Sequence, residues 1–197
     1  MAKRRGGTRA YKPKIGIKEI EAFVEESRER LQVTGRIDDP WLFVAASHAL
    51  DFYEVGRAAR AKLDFTGASK GVDLAAMANA SQLQLEGKAE PEVRQTLAKR
   101  VAAYMMIQVY NDLSAIGADV SFECGESSFA LVSKVRGGTP LRYDFLRRAA
   151  LAVQGLRLNE GRDRGSVAGT LQPFFQSLFE EFLLPQFKAL GALPRGL

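Results

Sequence analysis

The sequence predicts a mainly helical α+β domain, with five or six helices packed around a central helix at about 91–116 and one small antiparallel β-hairpin at about 119–136. Three observations carry that prediction. Apolar residues recur at helical spacing through most of the chain. The stretch opened by Glu90-Pro91 is apolar over much of its circumference, as a buried helix must be. Between about residues 119 and 136 the apolar period shortens from helical to strand-like alternation. The length, 197 residues, suits one domain over 15–197 preceded by a short arm at 1–14.

The arm contains Gly6, Gly7 and Pro13 and almost nothing to bury, so it is expected to be flexible or ordered by a partner. Ile17, Ile20, Val24 and Leu31, with Phe23 alongside, then mark an amphipathic helix at about 16–32 whose outer face carries Glu21, Glu25, Glu26 and Glu29. Gly35 is its stop. Asp39-Pro40 combines a capping carboxylate with proline at the first helical position, and opens a helix to about Leu63 that should bury Trp41, Val44, Phe52 and Val55. Thr66 to Ser69 reads as a loop, and an Ala-rich helix follows at about 72–85. The central helix sets Val93, Leu97, Val101, Met105, Val109 and Leu113 on helical spacing and ends at Gly117.

In the hairpin, Val120, Phe122 and Cys124 form one inward row, and Phe129, Leu131, Ser133 and Val135 the other. Gly137 to Pro140 closes it. Tyr143 to about Leu156 reads as a helix with Phe145, Leu146 and Leu151 on its buried side, and Asn159 to Gly165 as a polar loop. Thr170 can cap a last helix, which Pro185 should kink or end because proline has no N–H and clashes with the preceding turn.

Charge is segregated. Residues 1–14 hold six bases and no acid; residues 15–133 hold 12 bases against 18 acids; residues 134–164 hold eight bases against three acids. Such a distribution favours an anionic partner, such as nucleic acid, an acidic protein face or anionic lipid. The candidate contacts are Lys3, Arg4, Arg5, Arg9, Lys12 and Lys14 in the arm and Lys134, Arg136, Arg142, Arg147 and Arg148 in the second basic stretch. The last helix carries Phe174, Phe175, Phe179, Phe182 and Phe187, and its apolar arc is wide for one-sided docking. Phe174, Phe175, Leu178, Phe179 and Phe182 are therefore expected at a contact with another subunit, in a homo-oligomer or with other structural subunits.

Chemistry-bearing motifs are scarce. His48 is the only histidine, and Asp51 falls three residues on, but no nucleophile accompanies them, so a packing role is favoured. Cys124 is alone, which excludes an internal disulfide, and its inward strand position marks it as a small apolar filler. Gly67 to Gly71 lacks the spacing of a phosphate loop. No catalytic residue, metal set or cofactor is expected. There is no apolar run of membrane-spanning length and no signal-peptide core after the basic start, so neither a membrane span nor secretion by a signal peptide is expected.

Three segments resemble one family. Gly16-Ile-Lys-Glu-Ile20, the Ala/Arg-rich run Glu54 to Gly67 with its Thr-Gly turn, and Gly138-Thr-Pro-Leu-Arg-Tyr-Asp-Phe-Leu-Arg-Arg-Ala-Ala-Leu151 are similar to segments of tailed-phage tail-completion (neck) proteins. Together they span about a sixth of the chain, and the long helix at 91–116 stands where that family would place strands. The resemblance implies a non-enzymatic ring component between head and tail of a virion, without catalytic residues or cofactor. A nucleic-acid-binding module using the arm and residues 134–164 is the alternative.

Overall fold

The computed structural model describes residues 14–58, 74–134, 138–156 and 164–191. The predicted arm, the loop at Thr66 to Ser69 and most of the polar loop after Leu156 lie outside them. The described elements are α1 (Ile17–Thr34), α2 (Pro40–Ala58), α3 (Leu74–Gln84), α4 (Glu90–Ala115), β1 (Asp119–Gly125), β2 (Ser128–Lys134), β3 (Leu141–Asp144), α5 (Phe145–Gln154), α6 (Arg164–Leu178), a π-helical turn (Phe179–Leu183) and α7 (Leu184–Leu190). This is the mainly helical α+β architecture the periodicity predicts, with one small antiparallel sheet.

Local signals set the helix ends. The Glu19 carboxylate accepts the Gly16 N–H at 2.9 Å, and α1 stops at Gly35, whose φ of +70° any side chain would strain. Asp39 caps α2 by accepting the Leu42 N–H at 2.9 Å. At the head of α5, Asp144 accepts the Arg147 N–H at 3.1 Å.

Helix α4 is the axis of the core. It packs against α2 and α5, and also meets α3, β1 and β2. From Val101 to Val109 every residue except Met105 is buried, so the helix has no wet side there. Phe52 of α2 meets Tyr104 edge to face at 5.5 Å, a geometry worth about 0.5–1.5 kcal/mol beyond area burial. Asn111 clamps the start of the fold: its Oδ1 accepts the Ile15 N–H and its Nδ2 donates to the Ile15 carbonyl, both at 2.8 Å.

The expected hairpin is present, with Val120 opposite Ser133, Phe122 opposite Leu131 and Cys124 opposite Phe129 across a tight turn at Glu126-Ser127. It is nevertheless part of a larger sheet. Residues 141–144, of which Tyr143 and Asp144 are expected to begin a helix, form a third strand antiparallel to β2, with Leu131 opposite Tyr143. Helix formation waits until Asp144 supplies a cap. Tyr143 is buried on the row shared with Leu131 and Phe129, and a strand is the conformation that puts it there.

The C-terminal helix also differs from expectation. It begins at Arg164, before Thr170, and contains Pro173. Pro185 does not end it. A π-helical turn precedes the proline, and the Leu184 N–H reaches back five residues to the Phe179 carbonyl. The wider turn relieves the contact between the proline ring and the preceding carbonyls, so the chain continues as α7.

Three residues that helical spacing assigns to the core come out at the surface. Leu31 is 44% exposed, Trp41 38% and Leu151 58%. Spacing identifies a face, not how far the covering layer extends.

Candidate functional site

The predicted subunit contact is built differently from its expectation. Phe174, Leu178 and Phe182 are enclosed by this chain's own core, at 2%, 3% and 1% exposure. Their cover comes from the unexpected third strand. Tyr143 lies 5.7 Å from Phe182 and 6.5 Å from Phe174, ring to ring, and its hydroxyl meets Ser177 Oγ at 3.1 Å. Ser133, fully buried on β2, donates to Gln186 Oε1 of α7 at 2.8 Å. These three side chains are therefore corrected from interface to core, and Phe175 and Phe179, half-buried, remain on the outer part of the helix.

Of the candidate anion contacts, Lys3, Arg4, Arg5, Arg9, Lys12 and Arg136 lie outside the described residues. Lys14 is exposed just before α1, and Lys134 is exposed at the end of β2. The structure brings Arg142, Arg147 and Arg148 together around the β3–α5 junction, but commits two of them internally. Arg142 donates to Glu123 Oε1 and Ser128 Oγ at 2.7 Å and lies 3.5 Å from Asp144; the Glu123 hydrogen bond holds its pKa above the ordinary arginine value. Arg148 pairs with Glu181 and stands over the Tyr143 ring at 5.8 Å. Arg147 is exposed, and its side chain has no ion pair among the described residues. Among the described residues of the stretch, two guanidinium groups are thus neutralised, which weakens their attraction for a phosphate backbone.

What is open is the outer surface of α5. Leu151 stands between two grooves. One, of about 740 Å³, runs between α4 and α5 past the β1–β2 turn, with Ala98, Leu146 and Ala150 on its apolar floor and Lys99 and Arg147 at its edges. The other, of about 340 Å³, lies between α5 and α6, against Ala152, Pro173 and Phe174. A leucine on a ridge between two shallow apolar grooves is the feature the periodicity concealed, because spacing alone placed Leu151 inward.

The two catalytic candidates are engaged otherwise. His48 Nδ1 and Ser47 Oγ are buried, and neither has a hydrogen-bond partner, so the neighbouring serine is not bonded to the imidazole. Burial, together with the charges of Lys99 and Arg100, pushes the His48 pKa down to about 4 against the opposing pull of Asp51. Asp51 turns toward Arg100, at 3.8 Å. That arginine is itself buried, with Nε and Nη1 unpaired, and burial lowers its pKa. Burial and the nearby Asp39 carboxylate push the Cys124 thiol up to about 12, so it stays protonated at neutral pH. Among the described residues no group of three or more His, Cys, Asp or Glu side chains is placed to hold a metal ion, and no helix is long and apolar enough to cross a membrane.

No known protein family, curated protein or solved structure matches this chain.

Proposed function

We propose that this protein is a structural assembly subunit that acts by docking on other polypeptides rather than by catalysis. The observation that carries the reading is the α5 surface: a leucine 58% exposed, flanked on both sides by grooves with apolar floors. Exposed aliphatic surface of that form is stabilised when a partner covers it, at roughly 25 cal/mol for each Å² removed from water. Half-buried Phe175 and Phe179 on α6 and the π-helical turn extend the apolar area available to a partner.

The finer reading is a head–tail neck or connector component of a virion. Support comes from the resemblance noted in the sequence, and from where its segments fall. Gly16 to Ile20 opens α1, and Gly138 to Leu151 runs through β3 into the ridge of α5. The segments that resemble neck proteins thus include the docking surface. Nucleic-acid binding is the weaker alternative, since Arg142 and Arg148 are committed to carboxylates within the chain.

Mass photometry and sedimentation velocity of the full chain over a range of concentrations test the proposal. Self-association, or stable co-purification with virion structural proteins, is the expected result. A monomer at every concentration that captures no such protein overturns it. Titration with duplex DNA at rising salt separates the alternative, whose affinity would fall steeply with salt and be lost on deleting residues 2–14.

A further inference from the structure

We infer that the groove between α4 and α5 receives the outer stripe of α1 from a second copy of this chain, an inference that rests on the assembly reading above. The groove offers an apolar floor from Ala98, Leu146 and Ala150, the exposed Leu151 on its rim, and two cations, Lys99 and Arg147, that make no ion pair among the described residues; of its two lining carboxylates, Asp144 is held by Arg142 and Glu126 lies at the β1–β2 turn. Helix α1 offers the complement. Ala22, Glu26, Glu29 and Val33 succeed one another at intervals of four, three and four residues, which places them in one row along the helix. All four are exposed, Val33 at 84%. Glu26 and Glu29 form no ion pair among the described residues, whereas neighbouring Glu25 lies 3.6 Å from Arg28. An apolar residue at the end of an acidic row matches an apolar floor edged by two cations, the arrangement by which a helix seats in a groove.

The occupant must come from another copy. Within one chain α1 packs its Ile20 and Val24 face inward and lies against α2, and Asn111, in the C-terminal half of α4, holds its start. The groove borders the N-terminal half of α4, at Arg94 to Lys99. The stripe in question lies on the face of α1 opposite Ile20 and Val24, and so points away from its own body. Because the two surfaces differ, each copy would present both.

Charge reversal on the full-length chain tests this, read by sedimentation velocity at low salt, with thermal unfolding to verify that each variant folds. Glu29→Lys and Arg147→Glu are each expected to raise the dissociation constant of self-association roughly tenfold, by turning attraction into repulsion. The chain carrying both changes is expected to return to within about threefold of the parent, since a lysine then faces a glutamate. Independently, Val33→Cys combined with Leu151→Cys in a Cys124→Ser background should give disulfide-linked dimers under mild oxidation, and neither new cysteine alone should. If the single reversals leave association unchanged, or the double variant fails to recover, the groove–α1 pairing is wrong while the assembly reading stands. A parent chain that never associates removes both.

Discussion

The C-terminal helix and α5 are two apolar helices whose sequences suggest opposite fates, and the structure reverses them. Residues 174–187 carry five phenylalanines and look too apolar for one chain to cover, yet Phe174, Leu178 and Phe182 are enclosed. Helix α5 looks like an ordinary amphipathic helix, yet Leu151 is exposed between two grooves. The difference is a matter of cover. β3 places Tyr143 against the phenylalanines, and Ser133 and Tyr143 hydrogen-bond to α7 and α6, whereas the Leu151 ridge has nothing described above it. Apolar excess within a helix therefore says how much surface seeks burial, not which part of it finds a partner at home.

The largest effect is expected on the enclosed side. Phe182→Ala should cost about 3–5 kcal/mol of unfolding free energy, read from urea denaturation, because it empties a well-packed aromatic site. A cost below 1 kcal/mol would mean that the ring is not core, and the contrast with α5 would fail. Asn111→Ala should cost about 2–4 kcal/mol by removing two hydrogen bonds and leaving the Ile15 peptide groups unpaired. Hydrogen exchange should accelerate in the first turn of α1 before it does elsewhere.

The His48 pocket gives a pH signature of the core. Its pKa when folded, about 4, lies below the ordinary histidine value of 6.5, so the unfolded chain takes up the proton first as pH falls. This contribution leaves stability unaffected above about pH 6.5 and reduces it progressively between 6.5 and 4, by about 2–3 kcal/mol after allowing for partial exposure. Chemical denaturation at pH 7 and pH 4.5 should show a smaller difference for His48→Gln than for the parent. An equal pH dependence in both would place the imidazole in water instead.

Smallest in stability and most telling for function is Leu151→Ser. A residue that is mostly exposed should change unfolding free energy by no more than about 0.5 kcal/mol. Self-association should nevertheless weaken by several-fold, read by mass photometry. A large loss of stability would show that the ridge is covered within the chain, and the two helices would then have the same fate.

Much of the fold was legible because it rests on local rules. Asp39-Pro40 announced α2, Glu90-Pro91 announced α4, and the alternation from Val120 to Ser133 announced the hairpin. Less legible was β3, whose four residues are too few to establish a period and are followed at once by a helix of strong helical pattern. The candidate site was largely hidden. The basic residues of 134–164 were plain in the sequence, but the pairing of Arg142 with Glu123 and Asp144, and of Arg148 with Glu181, depends largely on approaches between distant parts of the chain.

The amino-acid sequence by itself determined where α1, α2 and α4 start, which faces are apolar and how charge is distributed, since periodicity, capping and charge are properties of a few consecutive residues. Only the tertiary structure decided which apolar faces are covered and which cations are paired. Both depend on elements that meet in space after wide separation along the chain, and no local pattern records where a neighbouring layer stops.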